Sequence, residues 1–185
     1  MNLVFLSDIH GRLPSLIQAL EAARREEADL VVLPGDLLYH GPRNGLFEGY
    51  DAAACAPLLN VWADKIVAVR GNCDSEVDQM LLTFPMMADY AQLVIDGQRF
   101  FLTHGHRFFG DQLPPLPAGT IVVSGHTHLP GQRTEGGLTF FNPGSVSLPK
   151  GGHPATYGLW SLASGLVVKT LDGQPYRPAA HAATA

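Results

Sequence analysis

No apolar run in the chain approaches the ~18 residues that a membrane-spanning helix needs, and the first residues offer only Leu3-Val4-Phe5-Leu6 before the charge of Asp8. No membrane-spanning helix and no membrane partner are therefore expected, and with no basic leader ahead of the run a signal peptide of the usual kind is not expected either. Cysteine is scarce. Cys55 and Cys73 are the only two, too few for a disulfide framework, so reduced thiols in a cytoplasmic protein are expected. Basic residues are in deficit as well: Lys+Arg 12 against Asp+Glu 17 gives a formal charge of −5. The positive surplus on which bulk nucleic-acid binding depends is therefore missing. Charged residues make up 16% and hydrophobic residues 46%, the balance of a folded chain and not of a disordered one.

At 185 residues the chain is long enough to bury roughly 70% of its extended surface in one domain, and nothing in residues 1–185 reads as a linker or an internal repeat. With Gly 20 and Pro 14, turns are frequent. Short β-branched or aromatic runs at residues 2–6, 30–33, 65–69, 99–103 and 120–123 read as strands buried on at least one face. Between the first two lies an amphipathic helix, with Pro14 in its first turn and Leu16, Ile17, Leu20 and Ala23 at helical spacing. Strand, helix, strand is a βαβ unit and implies parallel pairing. A second helix is expected over 52–63, with Pro57 near its start, and a third over 75–82, with Ser75 as N-cap and Asp78 completing a capping box.

Asp96-Gly97 between 90–95 and 98–103 predicts a hairpin. Further strands are expected at 138–141, 157–162 and 166–171, and the alanine-rich tail 179–185 reads as frayed. Because hairpins and parallel units are mixed, the expected fold is α/β, a two-sheet β-sandwich flanked by helices.

The chemistry lies just past the strands. Asp8 and His10 follow the first, Asp36 the second, Asn72 the third, His104 the fourth, and His126 and His128 the fifth. Carboxyl ends of parallel strands share an edge where ligands bind. There the seven side chains would leave carboxylates partly desolvated unless cations satisfied them. Oxygen and imidazole donors without a thiolate suit Mn, Fe, Zn, Co or Ni better than Ca, and Asp36 can bridge two such ions through its two oxygens. Gly35, Gly71, Gly105 and Gly125 would permit the sharp departures that aim these side chains. His106, beside His104, is left to support a ligand or face substrate. Arg43 and Arg70 carry guanidinium forks suited to a phosphate oxygen. Asp74 reads as a residue that orients a ligand histidine. Phe47 and Phe108-Phe109 are open to an oligomer interface, a substrate groove or the core.

In order and spacing, Asp8-Ile9-His10, Gly35-Asp36, Gly71-Asn72-Cys73-Asp74, His104-Gly105-His106 and Gly125-His126-Thr127-His128 resemble the blocks of the calcineurin-like metallophosphoesterases. Three longer strings, 40–44, 70–80 and 142–147, carry the resemblance toward the YfcE-type bacterial phosphodiesterases within that family. The resemblance implies a four-layer fold and two divalent ions, manganese foremost. Asp8, His10, Asp36 and His128 would hold one ion, and Asp36, Asn72, His104 and His126 the other. It implies attack on a small phosphodiester by a hydroxide between the ions, with nearby His or Arg groups offsetting charge. A phosphomonoesterase remains the alternative, as does a protein-binding scaffold like the retromer subunit of the same fold. Cys73 stands where most of these enzymes carry the His that protonates the leaving group.

Overall fold

The computed structural model of the protein describes residues 1–178; the tail read as frayed, 179–185, lies outside them. In chain order the elements are β1 (Leu3–Phe5), α1 (Leu13–Arg25), β2 (Leu30–Leu33), α2 (Ala52–Asn60), β3 (Ile66–Ala68), α3 (Glu76–Leu81), β4 (Tyr90–Ile95), β5 (Gln98–Thr103), β6 (Ile121–Val123), β7 (Gly131–Glu135), β8 (Leu138–Asn142), β9 (Thr156–Ser161) and β10 (Gly165–Thr170). They form two five-stranded mixed sheets, ordered β10-β9-β1-β2-β3 and β4-β5-β6-β8-β7. In each sheet three strands are joined by parallel pairing, β1, β2 and β3 in the first and β5, β6 and β8 in the second, and the remaining pairings are antiparallel.

Alternation along the strands divides the apolar residues between two layers. Leu3, Phe5 and Val32 meet Phe100, Leu102, Ile121, Val123 and Phe141 between the sheets. Val4, Leu6, Val31 and Leu33 face the other way, onto Leu16, Ala19, Leu20 and Ala23 of α1 and Cys55, Ala56 and Leu59 of α2. Ile17 does not join them; it is 41% exposed. The outer face of the second sheet is covered differently. A crossover between parallel strands must pass over a face, and the inner face is filled. Residues 104–120 therefore run outside, where Phe108 packs edge-on against Tyr90 and Phe101 at centroid distances of 5.3 and 6.1 Å. Phe101 is buried in consequence.

Local signals explain most element ends. Asp96 (φ 52°) and Gly97 (φ 82°) adopt the paired left-handed conformation of the tight hairpin turn. At the start of α3 the Ser75 N–H donates to Asp78 Oδ2 at 2.8 Å, the expected capping box. Helix α2 stops at Asn60, earlier than expected, with Pro57 inside it, and a separate 3₁₀ turn at Ala63–Lys65 leads into β3. Strand β7, Gly-Gln-Arg-Thr-Glu, has no apolar alternation and was not expected. It is an exposed edge strand, paired with β8 across a Gly136-Gly137 turn.

Candidate metal centre

The carboxyl ends of the parallel strands of both sheets meet at one rim, so the seven side chains singled out above come from two sheets and not from one edge. Asp8 and His10 follow β1, Asp36 follows β2, and Asn72 lies beyond β3. His104 follows β5, and His126 and His128 follow β6. Around Asp8 Oδ1, His128 Nε2 lies at 3.3 Å and His10 Nε2 at 4.0 Å, and the two imidazole nitrogens are 3.4 Å apart. Asp36 Oδ2 is 3.6 Å from His10 Nε2 and 3.4 Å from His104 Nε2, so a single oxygen faces both halves of the cluster. Asn72 Oδ1 sits 3.0 Å from His104 Nε2 and 2.7 Å from His126 Nδ1. Asp8, His10 and His128 are close enough to hold an ion, as are Asp8, Asp36 and His104.

The turns that aim these groups are made by the ligand-type residues themselves. Asp8 (φ 54°), His10 (φ 49°), Asp36 (φ 57°), His126 (φ 67°) and His128 (φ 60°) all occupy the left-handed region; among the described residues only Glu27 and Asp96 are other non-glycine cases. Such conformations cost energy and persist only where the surroundings hold them. The holding groups are visible. The Asp8 carboxylate accepts the Ser7 hydroxyl and the His126 N–H, and the Ser145 and Ser147 hydroxyls donate to the Asp8 carbonyl at 2.8 and 2.7 Å. The turn at residues 142–147 is thus a buttress for β1's end.

Asp74 differs from its expected role: it orients no histidine. Its carboxylate accepts the backbone N–H groups of Asp36, Leu37 and Gly71 at 2.7–2.8 Å, locking the β2 and β3 loops together. Burial, with Asp36 nearby, pushes this carboxyl up to about 6.

Backbone carbonyls fix three of the imidazoles. Nδ1 of His10, His104 and His128 lies 2.9, 2.7 and 2.6 Å from the carbonyl oxygens of Tyr39, Pro34 and Leu148. A carbonyl only accepts, so each Nδ1 carries the hydrogen and each Nε2 turns inward. Burial opposes ionisation of Asp8 and Asp36. The hydrogen bond and charge of His128, with His104, nevertheless hold Asp8 low, and His104, the Cys73 N–H and His10 hold Asp36 well below the carboxylate range. Burial lowers His104, but hydrogen bonding and charge from Asp36 and Asp8 prevail and push it up to about 9. His10 and His126 are lowered, mainly by burial. The protein alone thus keeps a proton on His104 to balance its carboxylates.

A raised folded value stabilises below the unfolded one and is lost as pH rises through the folded one. The metal-free chain should therefore lose thermal stability between pH 6.5 and about 9, whereas protein loaded with Mn should not, because a bound ion takes the proton's place. Melting curves with and without Mn across that range check this, and equal pH slopes would contradict it.

A cavity of about 490 Å³ opens over the cluster, lined by Tyr39, Arg43, Asn44, Cys73 and Lys150 beside the ligand-type residues. Arg43 is there as expected; Arg70 is not among the lining residues, and its buried Nε has no hydrogen-bond partner. Cys73 Sγ lies 3.2 Å from Asn72 Nδ2, and burial, then Asp36, push the thiol up to about 12. His106 packs beside His104 at 5.3 Å between centroids and carries a buried, unpartnered Nδ1. Burial, then His104 and His126, pull it down to about 4. Phe47 packs edge-to-face with Tyr50, and neither it nor Phe108 nor Phe109 lines the cavity. Lys150, Tyr39 and Asn44 were not singled out in the sequence. The strings at 40–44 and 142–147 were the nearest signal, since both run up to the rim.

Two β-sheets that deliver imidazole and carboxylate donors to a shared rim, beneath a cavity carrying cations, form the framework of a metal-dependent phosphoesterase. Residues 1–165 match the calcineurin-like phosphoesterase superfamily domain, and the chain belongs to that superfamily. It is 54% identical over 159 residues to the phosphodiesterase YfcE of Escherichia coli K12, covering 86% of each chain. The solved structure of E. coli YfcE, described as a phosphoesterase, superposes with a TM-score of 0.91 at 50% identity over 96% of this chain and 97% of that one. Vacuolar protein sorting 29 from Cryptosporidium parvum shares the fold, with a TM-score of 0.62 at 20% identity over 95% of this chain and 94% of that one.

Proposed function

We propose that the protein hydrolyses small phosphodiesters at two divalent ions. Asp8, His10, Asp36 and His128 hold one ion, and Asp36, Asn72, His104 and His126 hold the other. The observation that carries this reading is the approach of His10 Nε2 to His128 Nε2 at 3.4 Å. With both Nδ1 atoms committed as donors to carbonyls, the two Nε2 atoms point at each other and at Asp8 Oδ1, a convergence of donor atoms that a cation can occupy in place of a shared proton. The donor set of oxygen and imidazole favours manganese, with Fe, Zn, Co or Ni as substitutes. When bound, paired divalent ions acidify a water to provide the nucleophile and offset charge on the phosphoryl oxygens.

The chain's own residues do the rest. Arg43 offers its fork to a non-bridging phosphate oxygen from the cavity wall, and His106, outside the two ligand sets, faces the cluster from the β5 side. A thiol is a poorer proton donor at neutral pH than an imidazolium, so with Cys73 in this place diesters with good leaving groups are the better substrates. The 54% identity to a named phosphodiesterase supports the diester over the monoester. The two free cysteines, and the lack among the described residues of any helix long and apolar enough to cross a membrane, support a cytoplasmic protein.

The test is elemental analysis of purified protein together with rates on bis(p-nitrophenyl) phosphate and p-nitrophenyl phosphate with added Mn. Two ions per chain and a faster diester are expected; a faster monoester, or no turnover with any of these metals, overturns the reading. Cys73→His should restore a proton donor beside Asp36 and raise hydrolysis of an unactivated alkyl ester by roughly tenfold to a hundredfold. An equal or lower rate at unchanged metal content would refute that role.

A further inference from the structure

The cavity above the cluster is lined by two cationic side chains, one neighbouring Cys73 and the other neighbouring His128. Arg43 is the neighbour of Cys73: its charge acts on that thiol, and Gly41, two residues earlier, approaches Cys73 so closely that a Cβ there would lie 3.0 Å from Sγ. Lys150 is the neighbour of His128. Its N–H donates to the His128 carbonyl at 3.4 Å, and the Leu148 carbonyl two residues before it accepts from His128 Nδ1 at 2.6 Å. The position is built, since the Ser145 hydroxyl that docks on Asp8 also accepts the Leu148 N–H at 2.9 Å. Neither Arg43 nor Lys150 has an ion-pair partner within 4.0 Å among the described residues, although Asp36 lines the same cavity. Both are exposed, so neither is held in place by desolvation alone.

A phosphodiester carries one negative charge, and the guanidinium of Arg43 together with the ions answers it. Lys150 is then a surplus cation in the wall of a cavity whose volume, about 490 Å³, exceeds what a phosphate alone fills and admits both ester arms. Resting on the phosphodiesterase reading above, we infer that Lys150 selects diesters whose retained arm bears a second anionic group, a carboxylate or a phosphate, which its ammonium pairs.

The test compares two esters with one leaving group, phenyl p-nitrophenyl phosphate and 4-carboxyphenyl p-nitrophenyl phosphate, on the Mn-loaded protein at low salt. The carboxylate should be preferred in kcat/KM by roughly twofold to fivefold, the range of a solvated charge pair. The preference should lie in KM and fade as salt screens it. In Lys150→Gln the ratio should fall to about one. Calorimetric binding of phenylphosphonate and 4-phosphonobenzoate supplies a readout free of turnover: the carboxylate should tighten binding in the wild type and not in Lys150→Gln. If Lys150→Gln weakens both phosphonates equally, the ammonium grips the phosphate itself and the inference falls, as it does if the wild type shows no preference. Loss of turnover on both esters with the binding difference intact would instead indict the phosphodiesterase reading.

Discussion

Asp36→Asn is expected to leave the folded protein with neither ion and with activity lower by about a thousandfold or more. The substitution keeps the side chain's shape but removes its charge and one of its two oxygens. Oδ2 is the atom that faces both His10, at 3.6 Å, and His104, at 3.4 Å, while Oδ1 accepts the Cys73 N–H at 2.8 Å. An amide cannot satisfy the backbone N–H and both halves of the cluster together. The metal-free fold should survive, because His104 can release its proton once the charge that holds it is gone. Elemental analysis alongside circular dichroism separates the two effects; retention of both ions would remove Asp36 from the bridging position. His106→Ala is the contrast. It should leave metal content near that of the wild type, and metal loss there would move His106 into the ligand set.

The second large effect is steric and lies in a glycine with an unremarkable φ. A Cβ on Gly71 would collide with the backbone nitrogen and Oδ1 of Asp36, and would lie 2.8 Å from its Cγ. Neither side can give way, since Asp74 holds both the Asp36 and the Gly71 N–H at 2.8 and 2.7 Å. Gly71→Ala should therefore cost about 2–4 kcal/mol, a drop in Tm of roughly 5–15 °C for a chain of this size. It should also weaken metal binding by displacing Asp36. Gly131→Ala is the control, because nothing lies within 4 Å of a Cβ there, and its cost should stay within about 0.5 kcal/mol. Thermal melts of the metal-free proteins read this directly, and a Gly71→Ala chain that melts like the wild type would show that the β2 and β3 loops move apart freely.

Gly71 and Gly125 also show where a sequence reading of glycines stops. The four glycines flanking ligand-type residues suggest sharp turns, and Gly35 and Gly105 do take positive φ, at 99° and 102°. Gly71 and Gly125 do not; they are small because Asp36 lies against the one and Ser7 and Asp8 against the other. The turns themselves fall on Asp8, His10, Asp36, His126 and His128, and no residue type announces a left-handed aspartate or histidine. Asp74 illustrates the same limit. A carboxylate two residues from Asn72 is expected to serve a histidine, but its partners are three N–H groups from loops that converge only in the folded chain.

The sequence by itself marked every strand but β7, the βαβ opening, the Asp96-Gly97 hairpin and the seven side chains that the fold gathers at one rim, because alternation, turn residues and position after a strand are local properties. Tertiary structure alone decided that the rim is shared by two sheets and that residues 104–120 close the outer face with no more than a 3₁₀ turn at Gly110–Gln112. It also decided that Lys150 and Arg43 line one cavity. Each of these depends on contacts between residues distant in the chain, whose geometry follows from how the sheets pack and not from the spacing of residues along them.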